Sequence, residues 1–223
     1  MDREMVQVVI RIPDSVKQYG NVCFGSECII GEYSIIGYPY VESEESFKKT
    51  EKTIIGNKCI IGSHVIIHEE TAIGDGTMVD DYCRIGSAVK IGNNCKILYG
   101  ANISDETVVG NNSIITGFCC ERAVVGNNAR IFGELIHSQR EPHLGWDDVI
   151  EPSPKIDDNV FIGFGAKVVG GVKIGTKAYI TAGAILTKDV PSSYIVVGNN
   201  VMIHHKEWRG KLGASDFFTD RDE

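Results

Sequence analysis

Residues 137–148 read His137-Ser138-Gln139-Arg140-Glu141-Pro142-His143-Leu144-Gly145-Trp146-Asp147-Asp148. They concentrate the side chains that could do chemistry. An unperturbed imidazole titrates near pH ~6.5, so His137 could accept a proton at neutral pH, and His143 could contact a substrate. Arg140 offers a planar fork of donors, and Trp146 a flat face for a sugar or a base. Such groups suit general-base catalysis on a polar ligand. Each also has a plainer role. His143 could be a solvated loop residue, Arg140 could pair with Glu141, Asp147 or Asp148, and Trp146 could cap the loop against the surface.

Such a stretch needs a rigid scaffold, and the sequence specifies one through a period of six. From Ile55 every sixth residue is Ile or Val through Ile115: Ile61, Ile67, Ile73, Val79, Ile85, Ile91, Ile97, Ile103, Val109. Four residues after each comes a small or β-branched residue, running Cys59, Val65, Thr71, Thr77, Cys83, Val89, Cys95, Ala101, Thr107, Ser113. Gly often follows the aliphatic, with Asn or Asp next, as in Gly56-Asn57, Gly74-Asp75, Gly92-Asn93 and Gly110-Asn111. These residue types tolerate corners. Neither helix nor simple strand alternation demands this period. It predicts an all-β chain, a left-handed parallel β-helix in which three hexads make a triangular coil of 18 residues. Successive coils would lie ~4.8 Å apart, and a single coil could not bury its own core. Cys28, Cys59, Cys83 and Cys95 fall in the small inward register and are read as packing residues.

The interruptions set the domain plan. Residues 1–203 form the β-helix, with excursion loops at about 38–53 and 138–154, and 204–223 form a tail or short helix over the open end. Between Ile115 and Val125 two residues are missing from a pair of hexads. The phase then resumes through Ile131, and six residues on it reaches His137. An ionisable residue is thus expected in an aliphatic slot, and such local inconsistencies mark function.

The bulk numbers exclude several classes. A formal charge of −8 argues against a nucleic-acid surface or an anionic membrane as partner. No apolar run nears the ~18 residues of a spanning helix. Met1-Asp2-Arg3-Glu4 opens no signal peptide. The seven cysteines lack metal-type or scaffold spacing and are read as reduced thiols of a cytoplasmic protein.

His137-Ser138-Gln139-Arg140, then Pro154-Lys155-Ile156 through Val160-Phe161-Ile162-Gly163, then Ala182-Gly183-Ala184 and Thr187-Lys188-Asp189-Val190-Pro191 carry a family resemblance. Over roughly residues 20 to 200 the chain resembles hexapeptide-repeat acyltransferases, especially the maltose/galactoside and sugar-nucleotide acetyltransferases. The resemblance implies acetyl-CoA as acyl donor, a small-molecule sugar acceptor, a homotrimer with acetyl-CoA between neighbouring β-helices, and His137 as general base. It further implies that a backbone N–H near Phe164-Gly165 meets the thioester oxyanion and that Ala182, Thr187 and Lys188 line the CoA channel. Residues 155–190 hold five Lys and three Asp, a net of +2, which leaves −10 for the rest and favours the phosphates at this end. The family tail Gly-Asn-Pro-Ala-Lys is here Gly198-Asn199-Asn200-Val201-Met202, leaving Lys206 or Arg209 as basic substitutes.

Two alternatives stand beside this reading. A γ-type carbonic anhydrase shares the fold and binds zinc through three His. His137 and His143 would need a third ligand, and His64 and His68 lie about four coils away, on the order of 19 Å. A non-catalytic β-helix scaffold is the other.

Overall fold

The computed structural model describes residues 11–40, 52–139, 141, 143 and 150–218. Strands of two to four residues alternate with turns and stack into three sheets, the faces of a left-handed parallel β-helix. The nine-strand face runs from Lys17–Gln18 to Ile185–Leu186, and the eight-strand face from Val22–Phe24 to Lys173–Ile174. The third face has ten strands; it starts at Ile29–Ile30. The chain visits the faces in that order, coil after coil.

The register shows why the period is six. Ile67, Ile85 and Ile103 pair in line on the nine-strand face, Ile73, Ile91 and Val109 on the eight-strand face, and Val79, Ile97 and Ile115 on the third. All are 4% exposed or less and form one continuous core. The small register fills the space just past each corner. Its polar members are satisfied by corner carbonyls: the Thr71 hydroxyl donates to Gly86 O at 2.7 Å, and that of Ser113 to Gly126 O at 2.8 Å. Cys28, Cys59, Cys83 and Cys95 are buried there, and burial pushes the Cys59 and Cys83 thiols up to about 11.

The corner between the eight- and ten-strand faces is tied by a side-chain ladder. Asn57 N–H donates to Asp75 Oδ1 (2.7 Å), Asp75 N–H to Asn93 Oδ1 (2.8 Å), Asn93 N–H to Asn111 Oδ1 (2.8 Å), and the series continues through Asn127 to Asp158. The glycine before each rung is required by closeness. A Cβ on Gly74 would lie 2.5 Å from Asn93 Oδ1 and 2.6 Å from the Gly92 carbonyl carbon.

Two features correct the sequence reading. The inward slot after Ile131 is Leu135, fully buried between Cys119 and Val168 on the nine-strand face, and not His137. The corner from the ten-strand to the nine-strand face is shortened by two residues twice, once between Ile115 and Cys119 and again between Ile131 and Leu135. Glycine permits both cuts. A Cβ on Gly117 would lie 2.0 Å from Gly133 O, and one on Gly133 would lie 2.3 Å from Ala166 O. The second correction is at the C-terminus. The coils end at Tyr194–Val197, and Val201–His204 returns antiparallel along that strand as the last member of the ten-strand face. Two 3-10 turns follow, His205–Glu207 and Lys211–Ala214. Phe217 then packs edge-on against Tyr179, and Phe218 stacks on His205.

Both excursions leave the same corner. One begins after Ile35–Tyr38 and returns at Thr53–Ile55; the other begins after Glu134–Ile136 and returns at Lys155–Ile156. Each links the nine-strand to the eight-strand face. Five strand steps separate them, about 24 Å along the axis.

Candidate active site

His137 is the first residue after the strand Glu134–Ile136 and stands at the mouth of the second excursion, partly buried. Its Nε2 lies 3.1 Å from Ser153 Oγ and 3.3 Å from the carbonyl oxygen of Glu121. Ser153, at the far end of the excursion, also donates its hydroxyl to Glu121 O at 2.5 Å. The same carbonyl therefore meets both ends of the loop. His137 Nδ1 makes no hydrogen bond to a described residue.

The surroundings are polar and partly solvated. Arg122 pairs with Glu121 (3.4 Å) and Glu106 (3.7 Å), and the Ser138 hydroxyl donates to Glu151 Oε2 at 3.3 Å. Cys120 lies beneath, its thiol pushed up to about 12 by burial, so it is a neutral wall and not a nucleophile. In the next coil Gly170 sits under Ser138, where an added Cβ would be 3.2 Å from Ser138 Cβ, and Gly171 packs against Pro152. The arrangement offers a partly buried imidazole with one nitrogen anchored and the other bonded to no described residue, which is what proton abstraction from a bound acceptor requires.

The other expected site residues divide between places. His143 is described and exposed; Arg140 and Trp146 lie outside the described residues, as do 41–51 of the first excursion. Thr187 and Lys188 are exposed on His137's own corner, two strand steps further along. The Thr187 N–H donates to Asn200 Oδ1 at 2.9 Å. Phe164, Gly165 and Ala182 sit on a different corner, between the ten-strand and nine-strand faces. There Phe164 is 65% exposed and stacks on Phe132 with ring centroids 4.8 Å apart. A whole strand of the nine-strand face intervenes, so one chain does not bring Phe164-Gly165 to His137. The glycines it does bring are Gly170 and Gly171. Ser153 and Glu121 were missed from sequence. The signal for Ser153 is its flanking by Pro152 and Pro154 where the repeat resumes; Glu121 contributes only a carbonyl, which any residue carries.

The histidines do not converge on a metal. His68 ends the strand Ile66–His68, four strand steps from Glu134–Ile136, about 19 Å along the axis. His204 and His205 belong to the C-terminal return. No group of three His, Cys, Asp or Glu among the described residues could hold an ion. No helix among them is long and apolar enough to cross a membrane.

Comparison with known proteins agrees with this scaffold. Residues 70–105 and 153–188 match the family model for the bacterial transferase hexapeptide (six repeats). The second segment holds Ser153, Phe164, Gly165, Ala182, Thr187 and Lys188. Among curated proteins the chain is 27% identical over 208 residues to the bifunctional protein GlmU of Carboxydothermus hydrogenoformans, covering 84% of this chain and 42% of that protein. It is 26% identical over 162 residues to GlmU of Clostridium botulinum, covering 72% and 34%. The chain therefore spans less than half the length of these relatives. Among solved structures it resembles an Arabidopsis UDP-N-acetylglucosamine acyltransferase (TM-score 0.57, 18% identity, 86% of this chain and 73% of that one). It also resembles the Francisella novicida enzyme of that name (TM-score 0.50, 22% identity, 83% and 66%). At these identities the structural likeness is one of fold. The hexapeptide-repeat resemblance and the left-handed β-helix both hold.

Proposed function

We propose that this hexapeptide-repeat β-helix is an acetyl-CoA-dependent acetyltransferase that acts on a hydroxyl or amine of a sugar or nucleotide-linked sugar, with His137 as general base. The observation that carries the reading is the imidazole at the excursion mouth, anchored through Nε2 and with Nδ1 bonded to no described residue. The match of 153–188 to a transferase repeat supports the reaction class. In the reaction the acceptor O–H or N–H gives its proton to His137 while its oxygen or nitrogen bonds the acetyl carbonyl carbon. The C–S bond then breaks, and the CoA thiolate takes the proton from the imidazolium. Holding acceptor and thioester in line supplies much of the rate.

The split of the expected donor residues over two corners favours a homotrimer. A groove between chains can set the corner of His137, Thr187 and Lys188 against a neighbour's corner of Phe164, Gly165 and Ala182. The oxyanion donor then comes from the neighbour's Phe164-Gly165 or from the chain's own Gly171, since the Gly170 N–H is committed to Ile136 O (2.8 Å). His143, Arg140 and Trp146 are the candidates for acceptor contacts, and the first excursion on the same corner is the candidate nucleotide contact. Lys206 and Arg209 are the candidates for the CoA nucleotide.

The test is thiol release from acetyl-CoA against amino and hydroxy sugars, free and nucleotide-linked. A general base contributes roughly 10²–10⁴-fold, so His137→Ala should lose activity by that factor with at least one acceptor. Undiminished transfer by that variant would refute the assignment.

A further inference from the structure

We propose that Ser153 is a positioning residue that fixes which nitrogen of His137 carries the proton, and so makes Nδ1 the basic atom. The inference rests on the reading of His137 as base and concerns how that base is set.

The argument begins in the ladder. Along this corner each coil's carbonyl accepts the next coil's main-chain N–H: Ala88 N–H to Glu69 O (3.1 Å), Glu106 to Ser87 (2.8 Å), Arg122 to Asp105 (2.9 Å). The next acceptor in the series is Glu121 O. The residue that should serve it is Ser153, because Val124 pairs with Lys155 and Val125 with Ile156, which sets Arg122 opposite Ser153. At this rung a side chain takes over from the main chain. The Ser153 hydroxyl donates to Glu121 O at 2.5 Å.

That donation decides the tautomer. A serine hydroxyl has one proton, and the 2.5 Å contact to Glu121 O claims it over the 3.5 Å contact to Glu151 O. The Ser153 oxygen facing Nε2 at 3.1 Å can therefore only accept, as can Glu121 O at 3.3 Å. Two acceptors against one ring nitrogen require Nε2–H. In the neutral ring Nδ1 then holds the lone pair. With Nδ1–H instead, the Nε2 lone pair would face Glu121 O, or the hydroxyl would have to leave that carbonyl. When Nδ1 takes a proton the Nε2–H bonds persist, so the site changes charge without rearranging. The acceptor must then approach from the side of the ring away from Glu121.

The frame is rigid enough to hold this choice. Pro154 O accepts the Val124 N–H (3.0 Å), Cys120 N–H is bonded to Leu135 O (2.9 Å), and Pro152 rests on Gly171. The other partners of the Ser153 hydroxyl are the carbonyls of Glu121 and Glu151 and the neutral Cys120 thiol, so its route to the chemistry is His137.

The chain has six His. With 15N-labelled histidine, the spectrum of His137→Ala identifies the His137 signals. In its neutral form, His137 should show a protonated Nε2 and a pyridine-like Nδ1 in the wild type, and loss of that preference in Ser153→Ala. Kinetically, Ser153→Ala should lower kcat roughly three- to tenfold, the worth of one hydrogen bond, with KM unchanged. Ser153→Thr, which keeps the hydroxyl, should restore most of it. A protonated Nδ1 in the neutral wild-type ring overturns the proposal, and this reading needs no variant of Ser153 to fold. An unchanged kcat and tautomer in a folded Ser153→Ala also overturn it. If His137→Ala keeps full activity, the base assignment fails while the tautomer measurement still reports on Ser153. If His137→Ala is inactive and Ser153→Ala is not impaired, only the positioning role fails.

Discussion

Exchanging the fates of Leu135 and His137 tests the register on which the site depends. Leu135 is fully buried, with Cys119 above and Val168 below in the same ladder. Leu135→Ala removes three carbons, about 2.4 kcal/mol at ~0.8 kcal/mol each. The neighbours are fixed by main-chain bonds to adjacent coils, so the hole should collapse little, and the cavity raises the cost to about 3–5 kcal/mol. His137 is only partly buried, and without it Ser153 still donates to Glu121 O. His137→Ala should therefore cost about 0.5–1.5 kcal/mol, and His137→Leu should bring no gain. Urea unfolding followed by far-UV circular dichroism reads all three. An unchanged slope would show that the midpoints report stability and not a loss of cooperativity between coils. A six-residue step from Ile131 would give the opposite ranking, with His137→Leu stabilising and Leu135→Ala almost silent. Either result would refute the shortened corner at Gly133.

Of the seven cysteines, six are buried and Cys23 is partly exposed, so an aromatic disulfide reagent should titrate one thiol in the native protein and seven in urea. Burial raises the thiols of Cys59 and Cys83 to about 11 and of Cys119 and Cys120 to about 12, above the ordinary 9.0. Their stability contribution is complete below pH 9 and is lost as the pH rises towards those values, which the urea midpoint measured from pH 8 to 11 should follow. His68 is lowered, first by burial and then by the Arg84 charge, against the opposing Asp105 and Glu69 carboxylates. Its contribution is present above the ordinary 6.5 and lost as pH falls below it, so His68→Phe should flatten the decline in urea midpoint between pH 7.5 and 5.5. Gly74→Ala drives a Cβ to 2.5 Å from Asn93 Oδ1 and should cost about 1–3 kcal/mol, whereas Asn93→Ala removes one rung at about 1 kcal/mol; equal thermal midpoints for the two would contradict the ladder.

The coil was legible because its cause is local and repeated. Each inward Ile or Val must stack on the next, and a substitution there is felt in two neighbours, so the period is written in side-chain type. The corners were legible for the same reason, since Gly74 and Asn93 answer to contacts under 3 Å. The shortened corners were half legible. The pair Gly117-Phe118-Cys119 and Gly133-Glu134-Leu135 sets Gly two before the inward residue in both, sixteen residues apart. One missing pair of residues was visible between Ile115 and Val125, where later repeats restored the count. The second was hidden because the excursion after Ile136 removed the repeats that would have exposed it. His137 remains the candidate base although its slot was misassigned, because the excursion and the His-x-x-Arg spacing point to it without the register. The division of Phe164, Gly165 and Ala182 from Thr187 and Lys188 was not legible, since it depends on which corner each residue turns, and that count passes through the same hidden break.

A parallel β-helix satisfies its main chain almost entirely by coil-to-coil bonds, which leaves few polar groups to do chemistry. An excursion changes that. Where residues 138–152 leave the stack, the corner carbonyl of Glu121 loses the main-chain N–H that its predecessors Ser87 and Asp105 receive. An unpaired carbonyl in a partly buried corner costs free energy, and a hydroxyl from Ser153 and an imidazole from His137 occupy its place. The same interruption that frees a loop to meet a ligand thus creates the acceptor that orients the base. The first excursion leaves the same corner after Tyr38. There His68, buried and edge-on to Tyr38 in the neighbouring coil, has Nδ1 unpartnered among the described residues. That ring meets the Tyr38 backbone, and among the described residues no hydroxyl–carbonyl pair faces it as Ser153 and Glu121 face His137. Among the described residues, His137 is the histidine of this corner with one ring nitrogen held between a hydroxyl and a carbonyl and the other bonded to no described residue, and the proposed chemistry is assigned to that excursion.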